Sequence, residues 1–404
     1  MGGAGIAAAR LHDALHRMGV HSHFVTEDPR SQLETGYLSI GPERRSFAHR
    51  LAGRLRLAST PRQRWNAQLR TLDQNGVFVS GPVGRTDLPR LPVLQNAEIV
   101  HLHWVAGLIP WKSFFNEVQK PLVWTLHDMQ PFMGIFHYSV DRDRAGQRSR
   151  ELDNHVRLRK IEALRSTSSE QLTVISPSRW LQQLSLQSDV LGRFRHEVIP
   201  YGLNTDIFRP WPAAVARELL GLPPEERLLL VVAESLVDTR KGMDLAVGAM
   251  GRQSILPGWK IVAAGSGRVN FPGREVYSTG TLNDPRLMAM LYSAVDLLLV
   301  PSREDNLPNV ILESLCCGTP VVVPPAGGCP EPIVEGRDGF VSRQLSAESL
   351  AEALQAAADL SFDRQGIANA AKARYDQSVT AQAYLSLYNR LVARPDTAHS
   401  DPVR

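Results

Sequence analysis

Cysteine is scarce in this chain, which holds three cysteines in 404 residues. Cys316 and Cys317 are neighbours and Cys329 follows further along, so the spacings typical of zinc sites and disulfide frameworks are missing. Two adjacent cysteines on one helix cannot easily pair with each other. The scarcity argues against a disulfide-rich secreted protein and predicts reduced thiols in a cytoplasmic protein without a bound metal.

Long hydrophobic runs and a recognisable secretory signal are missing as well. No stretch approaches the roughly 18 apolar residues that span a membrane, and the apolar run at residues 228–232 suits one buried strand. Hydrophobic residues make up 43% of the chain and charged residues 21%, the balance of a soluble globular protein. A chain of 404 residues is too long for one ordinary core and predicts two domains of about 200 residues.

Acidic residues are missing between Arg44 and Arg70. Arginines alternate there with apolar side chains, which predicts an amphipathic helix in peripheral contact with the anionic inner face of a membrane. The alternative is the solvated basic face of an ordinary helix with nothing bound. The whole chain has a net charge of only +4 and no recognisable DNA- or RNA-binding motif, so we expect no nucleic-acid partner.

Strand-like and helix-like segments alternate along the chain, a pattern typical of parallel α/β sheets. A segment rich in proline, glycine and asparagine at residues 199–212 divides this alternation in two. We therefore predict two doubly wound, Rossmann-like domains over residues 1–200 and 201–404. The predicted strands cover residues 21–26, 99–104, 122–126, 172–176, 228–233, 260–264 and 297–301. The predicted helices cover residues 7–18, 152–166, 242–250, 284–293 and 378–392.

The most informative stretch covers residues 305–328 and reads DNLPNVILESLCCGTPVVVPPAGG. Pro308 suits the first turn of a helix and Gly318 its end, so the amides after Pro308 project from a helix N-terminus, where phosphate binds readily. Glu313 lies one turn further in, within reach of a ribose. Asp305 precedes the helix, where it can hold a sugar. Phosphate, ribose and sugar together predict a nucleotide-sugar site.

A second glycine-rich segment lies at the start of the chain, where its amides can receive phosphate or acceptor. Gly3, Gly5 and Ala8 also fit the dinucleotide fingerprint G-x-G-x-x-A, with Glu27 or Asp28 about twenty residues on. A nicotinamide-dependent dehydrogenase is therefore a rival interpretation. It requires a strand before the glycines, and it leaves the nucleotide-sugar stretch unexplained.

Together with three further motifs, the stretch at residues 305–328 resembles glycosyltransferase family 4, a group of retaining GT-B enzymes. Residues 123–128 (VWTLHD) resemble the family's histidine strand end, residues 198–204 (VIPYGLN) its interdomain segment, and residues 240–242 (RKG) its basic loop. The likeness covers nearly the whole chain. It implies the GT-B fold, in which two Rossmann-like domains enclose a cleft and the last helix, residues 378–392, crosses back onto the first domain.

The resemblance implies transfer of a sugar from a nucleoside diphosphate to a glycan or lipid-linked acceptor hydroxyl in cell-surface polysaccharide biosynthesis. It implies that His127 orients the sugar, that Asp305 holds it, and that Lys241 and Arg240 neutralise the diphosphate. No metal or other cofactor is implied. The predicted donor site comprises groups of Gly3, Gly5, Gly265, Asn306, Leu307, Pro308, Asn309, Val310 and Glu313.

The chain departs from the family pattern at the first strand of the second domain. The family usually has Gly-Arg after this strand, and this chain reads Ala233, Glu234 and Ser235. We expect Arg240 to replace the missing arginine. In the first domain no strand precedes Gly3, so we expect that the native start lies upstream of Met1 or that this domain is damaged.

Further interpretations stay open at this point. Asp305 and Glu313 resemble a glycosidase carboxylate pair, although their spacing around a helix start fits nucleotide binding better. A nucleotide-sugar epimerase shares the two-domain build, and a donor-binding protein without catalysis would keep the same site. Asp141 and Asp143 form a D-x-D pattern, which holds a metal in another glycosyltransferase fold. Here we expect both aspartates in a charged surface loop.

Overall fold

A computed structural model of the protein describes residues 2–28, 36–41, 61–70, 72, 77–85, 87–252 and 254–393. Within these ranges the chain forms three parallel sheets of two, four and six strands, flanked by helices. None of the described helices is long and apolar enough to cross a membrane. The predicted membrane-contacting segment between Arg44 and Arg70 lies outside the described residues up to position 60.

The described elements of the first half alternate as a Rossmann-like unit requires. In chain order they are α1 (Gly3–Arg17), β1 (Phe24–Thr26), β2 (Tyr37–Ser39), α2 (Pro61–Leu69), α3 (Pro92–Asn96), β3 (Val100–Leu102), α4 (Trp111–Glu117), β4 (Leu122–Thr125), α5 (Ser139–Arg144), α6 (Gln147–Ala163), β5 (Leu172–Ser176), α7 (Arg179–Leu186) and β6 (Arg195–Val198).

The second half repeats the alternation. Its described elements are α8 (Ala213–Leu220), β7 (Leu228–Ser235), α9 (Met243–Met250), β8 (Lys260–Ser266), β9 (Val276–Gly280), α10 (Pro285–Ala294), β10 (Leu297–Leu299), α11 (Asn309–Cys316), β11 (Val321–Val323), β12 (Gly339–Val341), α12 (Ala347–Ala358), α13 (Arg364–Tyr375) and α14 (Gln377–Val392). A short 3₁₀ turn, Thr239–Lys241, precedes α9.

Sheet order explains the apolar strands. The first half has the order β3-β4-β5-β6, and every residue of β4 and β5 is buried, as expected for central strands covered on both faces. The second half has the order β12-β11-β10-β7-β8-β9, with β7 in the middle. All pairs within both sheets are parallel. The predicted α/β fold with two Rossmann-like units is confirmed.

The pair β1–β2 stands apart from the four-stranded sheet. Among the described residues β1 pairs only with β2 and β3 pairs only with β4, so no strand joins the two sheets. Residues of both β1 and β3 line one cavity, which continues into the space between the two halves. The separation leaves strand edges of β1 and β3 facing that cavity.

Helix α14 packs against the first half of the molecule. Tyr384 and Leu391 share a buried cluster with Leu15 of α1, Val123 of β4 and Ile175 of β5. Where the helix starts, the amide of residue 377 donates to the carbonyl of residue 203 over 2.8 Å. The chain therefore crosses between the halves twice. The limits of the two domains at residues 200 and 201 stay a prediction.

Two local expectations are wrong. Helix α1 begins at Gly3, with Gly2 as its N-cap, so Gly3 and Gly5 belong to its first turn and not to a loop before it. Asp141 and Asp143 lie in the short helix α5 and not in a loop. Asp141 is half-buried because α5 packs against the second half of the molecule.

Candidate active site

A cavity of about 2280 Å³ is lined by residues of both halves. Its walls include His103 after β3 and His127 after β4, together with Lys241 after β7 and Asp305 after β10. Each of these residues follows the carboxyl end of a parallel strand, where α/β sheets place their ligands. The topology therefore directs the chemically active ends of both sheets into one cleft.

Most of the predicted site residues line this cavity. They are Gly3, Gly5, His127, Arg240, Lys241, Asp305, Asn306, Leu307, Pro308, Asn309 and Val310. Gly265 and Glu313 are not among the lining residues. A side chain at Gly265 would place its Cβ 1.9 Å from the carbonyl oxygen of Ala233, so this glycine lets β8 approach β7 closely.

An ion-pair cluster forms the floor of the cleft on the second half. The Lys241 Nζ lies 2.5 Å from Asp305 Oδ2, and an Arg240 guanidinium nitrogen lies 3.4 Å from the same oxygen. Burial pushes the pKa of Asp305 upward, but the two cations and the Lys241 hydrogen bond outweigh it and lower the pKa to about 2. Asp305 is therefore ionised, and its single charge faces two positive charges.

The loop that carries Asp305 is held by glycine contacts. The amide of Gly328 donates to the Asp305 carbonyl over 2.9 Å. A Cβ at Gly327, whose φ is +61°, would lie 2.0 Å from that same carbonyl oxygen. The paired glycines thus allow close backbone contact beneath Asp305, and this geometry requires residues without side chains.

Two helix N-termini approach each other across the cleft. The Asn309 side-chain amide at the start of α11 donates to the Gly3 carbonyl at the start of α1 over 3.3 Å. Neither helix has an acidic residue in its first turn or a side-chain hydrogen bond at its N-cap. Asn309 Oδ1 is buried without a hydrogen-bond partner among the described residues. Two positive helix ends whose first turns hold no acidic residue form a favourable place for phosphate groups. The start of α11 is the more favourable of the two, since Glu234 Oε2 lies 3.7 Å from the Cβ position of Gly2 beside α1.

Glu313 is engaged by the opposite half of the molecule. Its carboxylate accepts a hydrogen bond from Arg10 of α1 over 2.8 Å and from the Tyr292 hydroxyl over 3.0 Å. The Arg10 guanidinium also lies over the Phe208 ring, 5.0 Å from its centroid. The predicted ribose-binding carboxylate is therefore already paired, and a ribose has to share or displace the Arg10 contact.

His127 lies on the wall opposite the ion-pair cluster. Its Nδ1 is 2.9 Å from the Tyr201 hydroxyl and its Nε2 is 3.1 Å from Nδ1 of His103. Burial lowers the pKa of His127 to about 4, although the charge of Asp128 opposes this shift. His127 is therefore neutral near pH 7 and acts through hydrogen bonding, with each ring nitrogen already oriented by a neighbour.

A row of side chains connects His127 to the last helix. His101 contacts Thr125 over 2.8 Å and the Tyr388 hydroxyl of α14 over 2.6 Å. Burial lowers the pKa of His101 to about 3 and holds that of His103 well below its usual range. The rings of His101 and His103 lie with centroids 4.1 Å apart, so a ring contact joins these hydrogen bonds to the His103–His127 pair. This row of neutral side chains was not predicted from the sequence. Its one sequence signal is the H-x-H pattern at residues 101 and 103 on a strand.

The loop after His127 is clamped from below by α6. Lys160 donates to the carbonyls of Gln130 and Met133, and Asp153 Oδ1 accepts the amides of Gly134 and Ile135 over 2.9 and 2.6 Å. Asp153 and Lys160 are two helical turns apart, so both face the loop. The sequence signal for this contact is an aspartate and a lysine seven residues apart within one helix, and it was not used in the prediction.

The clamped loop presents Tyr138 and α5 to the second half. The Tyr138 hydroxyl donates to Asp305 Oδ1 over 3.3 Å. Glu304 accepts the Ser139 hydroxyl over 2.6 Å and the Val140 amide over 3.0 Å, so it caps α5 from across the cleft. Burial raises the pKa of Asp141. Asp141 lines the cleft, contrary to its predicted surface position, whereas Asp143 is exposed.

Asn306 joins the two walls directly. Its Oδ1 accepts the Ser178 hydroxyl over 2.6 Å, and its Nδ2 donates to the carbonyl of His127 over 3.2 Å. Both partners belong to the first half, and Asn306 follows Asp305. Asn306 therefore aligns the histidine wall, which is the cleft wall that carries His103 and His127, with the ion-pair cluster.

Comparison with known proteins identifies relatives of this chain. The family model "Glycosyl transferases group 1" matches residues 226–359, which include Lys241, Asp305 and Glu313. A D-inositol 3-phosphate glycosyltransferase of Segniliparus rotundus is 26% identical over 316 residues, 72% of this chain and 65% of that protein. This chain covers 70% and 52% of the length of two other curated relatives.

Solved structures resemble the whole fold. Sucrose-phosphate synthase from Thermosynechococcus elongatus has a TM-score of 0.68 at 21% identity, over 97% of this chain and 94% of that one. HepE from Anabaena, in complex with UDP-glucose, has a TM-score of 0.53 at 18% identity, over 72% and 79% of the two chains. At these identities the likeness concerns the fold, and it agrees with the GT-B architecture.

Proposed function

The resemblance to the group 1 glycosyltransferases is thus confirmed, and on that premise we propose that the protein is a retaining glycosyltransferase. It transfers a sugar from a nucleoside diphosphate to a hydroxyl of a glycan or lipid-linked acceptor in cell-surface polysaccharide biosynthesis. One observation carries the proposal. Two helix N-termini without anionic caps and two cations converge on a cleft whose opposite wall presents a neutral histidine.

In this proposal the donor lies across the cleft with its diphosphate near Lys241 and the first turn of α11. The amides near Pro308 to Val310 and the amides around Gly3 and Gly5 bind the phosphate oxygens. Lys241 and Arg240 supply positive charge where negative charge develops on the leaving group. Asp305 holds the sugar and keeps both cations in place before the donor arrives. Glu313 binds the ribose after exchanging part of its contact with Arg10.

The reaction breaks the bond between the anomeric carbon and the diphosphate oxygen and forms a bond from that carbon to the acceptor oxygen on the same face. The acceptor proton passes to the departing diphosphate, so no protein base is needed. His127 binds the sugar next to the reacting carbon after one of its hydrogen bonds, to Tyr201 or to His103, has passed to the sugar, and the remaining one fixes its orientation. The groups proposed for binding the diphosphate are cationic side chains and backbone amides, which can hold it without a metal.

The alternative functions have weaker support. The dehydrogenase fingerprint requires a strand–loop–helix unit, and its glycines lie inside the first turn of α1. The comparisons favour glycosyl transfer over an epimerase or a donor-binding protein without catalysis. HepE, which has a related fold, binds UDP-glucose, and this supports a nucleotide-sugar as the donor.

A thermal-shift screen tests the donor site. The chain is heated with UDP, GDP, ADP and their glucose or mannose conjugates, without metal and then with magnesium. We expect one nucleoside to raise the unfolding temperature without magnesium, since ligand at about a hundred times its Kd stabilises by about 3 kcal/mol. The double variant Asp305→Ala/Glu313→Ala should lose this shift.

A matched double variant, Glu348→Ala/Asp359→Ala, removes two exposed carboxylates, one from α12 and one just after it, and should keep the shift. Lys241→Ala serves as a second test because it removes a cation and leaves no new cation unpaired on the cleft floor. The proposal would be overturned if NAD were the one nucleotide that stabilised the folded wild type, or if no nucleotide stabilised it.

A further inference from the structure

Two large aromatic side chains are exposed beside the histidine wall. Phe78 is 61% exposed and Trp104 is 41% exposed, and both line the cleft. The two rings are stacked with centroids 6.0 Å apart, and the His137 ring stacks on Trp104 with centroids 5.8 Å apart. We call Phe78, Trp104 and His137 the aromatic platform. Exposed aromatic area in a cleft is typical of a binding surface.

The platform is rigidly anchored to one carboxylate. Asp128 Oδ2 accepts the Trp104 indole N–H over 3.1 Å and contacts His137 Nδ1 over 2.6 Å. The other His137 nitrogen lies 2.8 Å from the Ser80 hydroxyl. Burial alone would raise the pKa of Asp128, but the His137 charge and hydrogen bond lower it, so the carboxylate is ionised. The Trp104 and His137 rings are therefore held in place before any ligand arrives, and Phe78 contacts both through its ring.

The platform also lies beside the proposed reacting centre. Two neighbouring hydrogen bonds join the ends of β3 and β4, one from His103 to His127 and the next from Trp104 to Asp128. Trp104 thus stands one residue away from the pair that orients the sugar. It belongs to the first half, opposite the helix end and cations proposed for the diphosphate. No residue of the platform is assigned to the donor, so the platform is free for the second substrate.

The chemistry of the platform fits a sugar ring. A pyranose has an apolar face of C–H groups and a rim of hydroxyls, and the electron-rich face of an aromatic ring attracts such C–H groups. The hydroxyl of Ser80 and the carboxylate of Asp128 are polar partners beside the rings. Both are already engaged by His137 and Trp104, so the surface left to a ligand is the exposed area of the Trp104 and Phe78 rings. Because the group that reacts is a hydroxyl, the position of these rings beside the proposed reacting centre favours a terminal sugar over a lipid tail.

We propose that the aromatic platform is the acceptor subsite and that it binds a pyranose ring by stacking on Trp104 and Phe78. The inference rests on the proposed function, because it assigns the acceptor of that reaction to the class of glycosides or glycolipids whose terminal unit is a pyranose. His127 and the platform then hold donor sugar and acceptor sugar side by side at the ends of two adjacent strands.

Saturation-transfer NMR with the methyl pyranosides of glucose, galactose and mannose tests the inference in the presence of the stabilising nucleotide. We expect transfer to the ring C–H protons of at least one glycoside. Trp104→Ala should raise the Kd for that glycoside by about tenfold, in line with the strength of aromatic contacts. Trp104→Phe keeps the ring and loses only the Asp128 hydrogen bond, so it should retain most of the binding. Phe78→Ala should weaken it less, and the exposed control Leu219→Ala should not change it.

Three results would overturn the inference. The first is saturation transfer to none of the three glycosides, and the second is equal transfer with the wild type and with Trp104→Ala. The third is that Trp104→Ala has only one effect, the loss of the protein's sedimentation with phosphatidylglycerol vesicles. The thermal shift with nucleotide, recorded on the same samples, separates the two proposals. A nucleotide shift without glycoside binding sinks the platform alone, whereas Trp104-dependent glycoside binding without a nucleotide shift supports the platform and sinks the donor site.

Discussion

At the scale of single residues, burial determines what the histidines of the cleft can do. His101 and His127 have pKa values of about 3 and 4 because burial disfavours the imidazolium form. A neutral imidazole can accept and donate one hydrogen bond each, and the neighbours of His127 use both ring nitrogens. For its proposed role in orienting a sugar, a sugar hydroxyl has to take over one of these two hydrogen bonds.

The same pKa values predict how stability depends on pH. The unfolded chain binds protons on these histidines below about pH 6.5, and the folded chain binds them only near pH 3 to 4. The stabilisation is fully present above pH 6.5 and is lost as the pH falls towards 4, by about 1.4 kcal/mol per pH unit for each histidine. Urea unfolding at about pH 7 and about pH 5 measures this loss.

His101→Asn is the control for that measurement. It removes one of the titrating groups and should reduce the loss of stability between the two pH values. A carboxylate contribution is small in this window, since Asp305 and Asp128 have lowered pKa values. A free energy of unfolding that is equal at both pH values would contradict the expected titration.

Single residues were predictable where they belong to a local motif. His127, Lys241 and Asp305 each follow a strand in a recognisable segment, so their position at the cleft follows from local order along the chain. Their partners Tyr201 and Tyr138 were not predictable, because they approach through packing between the two halves. Glu313 shows the same limit, since its contact with Arg10 joins residues 303 positions apart.

At the scale of elements, α6 acts as the support of the histidine wall. Lys160 is fully buried, and its ammonium lies 4.8 Å from the centroid of the Trp111 ring in addition to its two carbonyl contacts. Burial lowers the pKa of Lys160 to about 7, against the charges of Asp153 and Asp128. The helix thus fixes the loop that leads from Asp128 to Tyr138.

Removal of this contact should destabilise the protein. Lys160→Met keeps the length of the side chain and leaves the carbonyls of Gln130 and Met133 buried without donors. We expect a loss of about 2 to 4 kcal/mol in the free energy of unfolding, measured with urea. Lys120→Met is the matched control, since Lys120 also contacts two carbonyls but is only half-buried, so water can replace its ammonium group. Equal losses for both variants would contradict the clamp.

Regular elements with a clear apolar period were predicted well, and irregular ones were not. Strand β5 occupies the predicted residues, and the predicted strands over β4 and β7 differ by a few residues at their ends. Helix α5 was missed because its sequence, SVDRDR, is short and polar, and it forms where Glu304 of the other half caps it. Its stability comes from tertiary contact and not from local propensity.

At the scale of the whole molecule, acidic residues of the second half cap helices of the first. Glu304 caps α5, and Glu331 accepts the amides of Arg179 and Trp180 at the start of α7 over 2.9 and 2.7 Å. A carboxylate at a helix N-terminus is favourable because of the helix dipole. These contacts hold the halves in the arrangement that forms the cleft.

Glu331→Ala should therefore weaken the docking of the two halves. We expect a decrease of about 1 kcal/mol in the free energy of unfolding, the usual effect of losing a helix cap. Glu348→Ala removes an exposed pair with Arg252 within the second half and should have a smaller effect. Denaturant titration of both variants measures the difference, and an unchanged Glu331→Ala midpoint would contradict the proposed cap.

The separate pairing of β1 with β2 affects how the edges of these strands are solvated. A strand edge that lacks a neighbouring strand keeps backbone N–H and C=O groups that require solvation. Within the described part of the chain, edges of β1 and β3 face one cavity, and His101 and Tyr388 lie on the wall of that same cavity. These edges therefore depend on solvent in the cavity for hydrogen bonds, and we expect their backbone amides to exchange hydrogen with bulk water faster than those of the central strands β4 and β5.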